Sequence, residues 1–399
     1  MPINLFKSLF NQPSAQPSGQ SFGQSLSQPT AKFSPSSPRY AYAFQSPYRQ
    51  PRILILVDNV RATYFLSFHY VLERLHQSES LAFFVLDSAE IDRWTKGHSP
   101  EAFVQQVIAD VQPTLVIFSR YGVPYGDRLP ALFKAQKIAT ICHIDDDLLN
   151  INPALGEEIQ KRQGDPVVLR ARKILLEQSD LIYASTPFLG DRLASQFPQQ
   201  TVFSARCTSY LDFLITAQPS PSKHLTVGYM GSKGHQEDLD AIAPEIGRIL
   251  SEYPQTRFET FGTIDLPEVL KSFASRVRSH PTKPNYAEFL NQLRRLNWSI
   301  GLAPLQDTEF NRCKTPSKYM EYTACGIPTI ASSGHVYSQF PPETHILSAQ
   351  PSEWYSKIRQ LIDSEPLREK LVANGQAYCA KAFSLDAVEG QIKELIALV

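Results

Sequence analysis

The sequence predicts an α/β protein of two successive domains, each built on a parallel sheet. Short, continuous apolar runs alternate with stretches of helical period, the pattern of strand–helix–strand units. The rhythm occurs twice, interrupted by the polar, Pro-containing stretch TAQPSPSKH at 216–224, which reads as a linker. A chain of 399 residues is long enough for each half to bury its own core.

Residues 1–50 are rich in Gln, Ser and Pro, as in NQPSAQPSGQSFGQSLSQP. Such a stretch buries too little apolar surface to offset its ordering entropy, so a disordered tail is expected, with Phe22 and Phe33 as isolated apolar residues within it. The opening MPINLFKSLFN is too short and too weakly basic for a secretory signal. Its Phe/Leu stripe leaves peripheral contact with a membrane surface or a partner open.

Order is expected from RILILVD (52–58), a run typical of a buried parallel strand. A helix over 63–77, a strand at 81–87, a helix over 100–112 and strands at 114–120 and 138–145 follow. VVLRARKILLEQS then forms a helix that leads to a strand at 180–186. The second domain opens with LTVGYMG (225–231) and a helix over 238–253. A strand at 257–262, a helix over 285–296, a strand at 299–305, a helix over 317–325 and a strand at 328–332 come next. WYSKIRQLID, LREKLVANGQAYCAKAF and SLDAVEGQIKELIALV close the chain as helices. The expected domains are 51–216 and 224–383, with 384–399 as a separate terminal helix.

Composition excludes some function classes. Lys plus Arg and Asp plus Glu are both 39, so the formal net charge is zero and there is no basic stripe for a nucleic acid. No run approaches the roughly 20 apolar residues of a membrane span. Cys142, Cys207, Cys313, Cys325 and Cys379 lie far apart without zinc-type spacing, the usage of reduced thiols in a cytoplasmic protein. Trp94, Trp298 and Trp354 are isolated and read as packing residues.

Ligands of open parallel sheets bind beyond the carboxyl ends of the strands, so candidate residues are sought there. After LTVGYM comes Gly231-Ser232-Lys233-Gly234-His235, leading into a helix. Small residues admit an anion close to the backbone, and Lys233 adds positive charge, so this is a candidate diphosphate cradle. A plain strand-to-helix turn explains the same residues equally well. The second candidate is KTPSKYMEYTACGIPTIAS (314–332), where Lys314 and Lys318, and then Lys318 and Glu321, are one helical turn apart. Ser317 is a possible cap, Gly326 ends the helix and Pro328 opens the next strand. The alternative here is a solvated Lys318–Glu321 pair.

In the first domain His143-Ile144-Asp145-Asp146-Asp147 follows a strand. The carboxylates are weighed as a cation site, as acceptor-side polar groups and, for Asp147, as a helix cap. His143 is either part of an acceptor site or a buried structural histidine. Asn59, Arg61, Tyr64, Arg120, Tyr121, Thr186 and Pro187 follow other strands and share the acceptor-side expectation.

KYMEYTACGIPTIAS resembles the hallmark of the large retaining GT-B glycosyltransferases with a Glu–Gly–Pro signature, in particular their bacterial family 4-like members. GYMGSKGHQEDLDAIAPEIGRILSEYP resembles the first loop and helix of their nucleotide-sugar domain, and CHIDDDLLN and SDLIYASTPFL resemble bacterial members of the group. The resemblance extends over roughly 52–395, with its specific motifs in the second half. It implies two Rossmann-like domains with parallel sheets facing across a cleft, and a terminal helix crossing back to the first domain. It further implies a nucleotide-sugar donor bound by the second domain, retention of configuration, and neither a metal nor a separate cofactor. Glu321 takes the position of the Glu that bonds the ribose hydroxyls. Lys233, Lys318 (or Lys314) and the amides of Gly231, Ser232 and Gly234 supply positive potential to the departing diphosphate. His143 and Asp145 are the expected catalytic groups on the acceptor side; the acceptor itself is unidentified.

Two departures from that group stand out. The first acidic residue of its E-x(7)-E pattern is replaced by Cys313, with Glu309 out of register, and its Gly-Gly loop after the first strand is replaced by DNVRATY. A catalytically silent scaffold or binding protein of the same architecture, or a nucleotide-sugar epimerase, therefore remains as an alternative.

Overall fold

The computed structural model describes residues 33–46, 51–151, 156–205, 209–283 and 285–399, which divide into two compact units. The first unit is formed by the described residues up to Ile151, by Lys161–Ser209 and by Leu385–Val399. Its sheet has seven strands in the order β1-β3-β2-β4-β5-β6-β7. They are β1 (Tyr42–Phe44), β2 (Arg52–Val57), β3 (Ala82–Asp87), β4 (Leu115–Ser119), β5 (Ala139–Ile144), β6 (Leu181–Ala184) and β7 (Val202–Ser204). All neighbours are parallel except β1, which runs antiparallel to β3. β2 to β6 are buried almost throughout, which is why they read as continuous apolar runs.

The second unit is built mainly from Tyr210–Ser384. Its six strands are β8 (Thr226–Gly231), β9 (Arg257–Gly262), β10 (Val277–Pro281), β11 (Ile300–Ala303), β12 (Thr329–Ser332) and β13 (Leu347–Ala349). Their order is β10-β9-β8-β11-β12-β13, all parallel. Helices Ala243–Glu252 and Trp354–Asp363 cover it through Ile246, Ile249, Leu250, Trp354, Ile358 and Leu361. The winding direction reverses between β2 and β4 in the first sheet and between β8 and β11 in the second. In doubly wound sheets such a reversal opens the crevice that receives a ligand. The expected class, two parallel-sheet α/β domains, is what the chain adopts.

Three expectations need correction. The stretch 1–50 is not wholly a disordered tail. Within it, Phe44 stacks on Phe83 at 4.4 Å between ring centres, Ala41 N–H bonds Val85 O, and the Tyr40 hydroxyl reaches Asp110. Phe33 lies against Tyr40 at 4.4 Å. The aromatic residues at the end of this stretch therefore have a sheet edge to cover, whatever its overall composition. The remainder, including Phe22, lies outside the described residues, as does Cys207. Second, the helix expected over 238–253 is broken into Gln236–Asp240 and Ala243–Glu252, the second starting at the Pro-favoured first turn with Pro244. Third, the helix expected over 63–77 contains a π-helical turn at Phe65–His69 before its regular part, Tyr70–Gln77.

The final helix, Leu385–Ala397, belongs to the first unit. It buries Val388, Ile392, Leu395 and Ile396, and Arg74 of the Tyr70–Gln77 helix pairs with Asp386 and, at 3.0 Å, with Glu389. No helix among the described residues is long and apolar enough to cross a membrane.

Candidate functional site

The reversal in the second sheet gathers the expected donor-side residues. Gly262 ends β9 at φ 127, and a Cβ there would lie 2.2 Å from Gly231 O, so the ends of β8 and β9 touch backbone to backbone. Thr263 N–H bonds Gly231 O at 3.1 Å, and Lys233 N–H bonds Thr263 Oγ1 at 3.3 Å. Beyond Gly231 the chain makes a 3₁₀ turn, Lys233–His235, and the short helix Gln236–Asp240. The long helix expected to point its amino end at a ligand is thus reduced to these turns. Ser232 and Lys233 are exposed and Gly234 is half-buried. The Lys233 ammonium has no hydrogen-bond or ion-pair partner among the described residues.

Helix Ser317–Ala324 is fixed over the same strand ends by Tyr322. Its hydroxyl donates to Leu302 O at 3.0 Å and accepts from Met230 N at 2.9 Å, joining the helix to β11 and β8 in one contact. The ring fits because residue 301 is glycine: a Cβ there would lie 2.8 Å from it. At the helix end Gly326 takes the left-handed conformation at φ 70, while Arg294 Nη1 bonds Cys325 O at 2.5 Å. Ser317 lies inside the first turn instead of capping it, since the flanking position is Pro316.

On this anchored helix Lys318 and Glu321 do not form the pair weighed from their spacing; no ion pair within 4.0 Å joins them among the described residues. The Lys318 ammonium bonds the Tyr229 hydroxyl at 3.1 Å and lies 4.3 Å from the centre of that ring. Glu321 Oε1 accepts from the Tyr286 hydroxyl at 3.1 Å. Burial pushes the Lys318 ammonium down to about 8, with Lys314 adding to the effect and Asp238 and Glu321 opposing it. Burial likewise pushes the Glu321 carboxyl up to about 7, against the Tyr286 bond and the Lys318 charge. Lys314 sits one turn before, its ammonium 4.8 Å from the centre of the Phe310 ring. Cys313 is fully buried, its thiol 3.4 Å from Glu309 O.

Asp238, Tyr229 and Tyr286 are parts of this site that sequence reasoning passed over, and His235 was noted only as the end of the Gly loop. Asp238 is buried; its Oδ2 lies 2.8 Å from His235 Nδ1 and its Oδ1 accepts Gln306 N–H at 2.9 Å. It thereby ties the loop after β8 to the loop after β11, across the reversal itself. The signal was His-x-x-Asp at the start of a helix, a spacing that puts both side chains on one face.

The first-unit candidates are arranged differently. His143 is fully buried between Phe68 and Tyr183, with Nδ1 3.0 Å from Ser119 Oγ. Burial and the Arg120 charge push its imidazole down to about 3. The expectation of a catalytic His143 is corrected: it has no surface with which to meet an acceptor. Asp145 accepts from Thr63 Oγ1 at 2.7 Å and from Arg120, which also reaches Asp146 at 3.1 Å. Asp147 is held by Arg192 at 2.6 Å and by the Asn150 amide, so it caps no helix. The acidic run therefore diverges onto two arginines, and among the described residues no cluster of three or more His, Cys, Asp or Glu is placed to hold a metal. Asp145 is half-buried and remains a candidate only through its place after β5. Tyr64 and Tyr121 are buried, bonded to His69 and to Pro124 O, and Thr186 caps the helix Pro187–Gln196. The three tryptophans are buried.

A family described as Glycosyl transferase-like matches residues 246–394, a span that contains Tyr286, Lys318 and Glu321. The sequence has no significant match among curated proteins. Sucrose-phosphate synthase from Thermosynechococcus elongatus superposes with a TM-score of 0.60 at 13% identity, covering 87% of this chain and 98% of that one. Anabaena HepE in complex with UDP-glucose gives 0.57 at 13%, covering 87% and 100%. A UDP-forming α,α-trehalose-phosphate synthase from Burkholderia xenovorans gives 0.57 at 11%, covering 88% and 99%. At such identities the likeness is one of fold: the chain has the GT-B architecture of two parallel-sheet α/β domains, and its second half carries the glycosyl transferase-like match.

Proposed function

We propose that this chain is a glycosyltransferase that moves a sugar from a nucleotide-sugar to an acceptor and binds the nucleotide at the β8/β11 reversal of its second unit. One observation carries the reading: Lys318 and Glu321 are each oriented by a tyrosine instead of by each other. Both charged ends are thus held in place without being neutralised by a mutual ion pair. Glu321 accepts hydrogen bonds from the ribose hydroxyls. Lys318, Lys233, Lys314 and the amides of Gly231, Ser232 and Gly234 stabilise the diphosphate as charge builds on it in the transition state.

Retention of configuration, independence of metal and the absence of a separate cofactor extend this reading; its support is the Glu–Gly–Pro resemblance and the engagement of Asp145, Asp146 and Asp147 by arginines. Asp145, with Arg120, is proposed as an acceptor-side polar group. HepE is complexed with UDP-glucose and the trehalose-phosphate synthase is UDP-forming, so UDP-sugars are the first donors to test.

The test is incubation with UDP-, GDP- and ADP-sugars, following release of nucleoside diphosphate. Turnover of one donor class supports the reading, whereas absence of both binding and turnover across the panel contradicts it. The buried Cys313, standing where related enzymes have an acid, favours a second reading: a protein that binds the nucleotide-sugar without transferring it. Binding without turnover against every acceptor class is its signature.

A further inference from the structure

His235 and Asp238 form a polar pair at the reversal that the donor contacts do not use. Asp238 uses one carboxylate oxygen to hold Gln306 N–H at 2.9 Å and the other to hold His235 Nδ1 at 2.8 Å. An ionised carboxylate only accepts, so Nδ1 carries the hydrogen and Nε2 presents a lone pair. The His235 carbonyl is also bonded, by the Tyr229 hydroxyl at 3.4 Å, and that hydroxyl accepts from Lys318. Asp238 thus orients the imidazole, and Tyr229 holds the backbone that carries it. Its side chain is 23% exposed, and Nε2 has no hydrogen-bond partner among the described residues. A carboxylate that fixes the tautomer and leaves the far nitrogen open is the arrangement by which a histidine is prepared to take and return a proton.

We infer that His235, held by Asp238, contacts the terminal phosphate of the bound nucleotide through Nε2 and becomes protonated as the diphosphate binds. The inference rests on the donor-site reading. Groups facing the ring are Asp238 on its own turn, Tyr229 on β8, and Lys314 and Lys318 from the loop and helix around 314–321. In the free site burial holds the imidazole down to about 4; the Asp238 bond opposes this and the two lysines reinforce it. A diphosphate reverses that balance, because it neutralises those lysines and places anionic oxygen beside Nε2. During transfer the bond from the sugar carbon to the phosphate oxygen breaks and its electron pair stays on that oxygen, while the acceptor's nucleophilic atom bonds the sugar carbon and releases its proton to solvent. The Nε2 proton passes to the same oxygen, His235 returns to the neutral form, and the diphosphate leaves with one added proton.

The experiment is calorimetric titration of the full chain with UDP at pH 6.5 in two buffers of different ionisation enthalpy, for the parent, His235→Gln and His235→Asn. Subtracting a variant from the parent cancels ionisation of the nucleotide and of Glu321. The parent is expected to take up nearly one proton more than either variant. It should also bind roughly tenfold more tightly, with the gap narrowing at pH 8.5. Equal proton counts in the parent and in a folded variant that binds UDP overturn the inference and leave the donor site standing. Failure of the parent itself to bind UDP, GDP or ADP overturns the donor site, and this inference with it. The two failures are told apart by whether the parent binds.

Discussion

The Tyr286 hydroxyl lies 3.1 Å from Oε1 of Glu321, and the two residues come from different helices, 35 positions apart in the chain. The bond aims a carboxyl that burial has pushed up to about 7, so the proton on Glu321 is held close to neutral pH.

That proton makes stability depend on pH. The native chain keeps it up to about 7, whereas the ordinary value is 4.5. Between those values the native state binds more protons than the unfolded one, so this site makes stability fall as pH rises through the window. Glu321→Gln removes the effect. The variant is predicted to match the parent near pH 5 and to exceed it at pH 8, by on the order of 1–3 kcal/mol. Thermal unfolding at the two pH values checks it; a variant less stable than the parent at pH 8 contradicts the assignment.

Lys318 sets the opposite limb of ligand binding. With its ammonium pushed down to about 8, UDP affinity should decline above that pH as the charge is lost. Lys318→Gln should weaken UDP binding by roughly ten- to a hundredfold at pH 7, the worth of one charge-assisted contact, and abolish the alkaline decline. An unchanged profile in the variant would assign the decline to another group.

Much of the fold was legible because its central strands are buried on both faces. RILILVD and LAFFVLD have no alternation to confuse and are bounded by polar turns. Strand β1 was not legible: Tyr-Ala-Phe is three residues in a Ser- and Pro-rich setting, and only pairing with β3 makes it a strand. The site divides in the same way. Lys318 and Glu321 were found from helical spacing, but that spacing suggested they meet each other. Tyr229, 89 positions from Lys318, and Tyr286 decide otherwise, and such contacts leave no mark on local sequence. His143 was expected just after a strand and lies within β5; whether its side chain faced solvent or Phe68 depended on how the neighbouring elements packed.

The edge strand offers its own test. Phe44 is nearly buried and stacked on Phe83, so Phe44→Ala should destabilise the chain by about 3 kcal/mol and lower its melting temperature by several degrees. An unchanged melting temperature would mean that residues 33–46 do not hold this edge.

Chelation addresses the acidic run. Arg120 and Arg192 occupy Asp145, Asp146 and Asp147, so EDTA should leave nucleotide release from the donor unchanged. Abolition by EDTA with rescue by magnesium or manganese would mean that these carboxylates let go of their arginines to bind a cation.

The central claim is that Glu321 receives the ribose of a nucleotide, and one titration tests it most directly. UDP is titrated into the parent and into Glu321→Gln at pH 7.5, where the parent carboxyl is mostly ionised. Replacing a charged acceptor by a neutral one of the same shape should weaken binding by roughly ten- to a hundredfold, since each charge-assisted bond contributes about 1.5–3 kcal/mol. A folded Gln variant that binds UDP as tightly as the parent would contradict the claim.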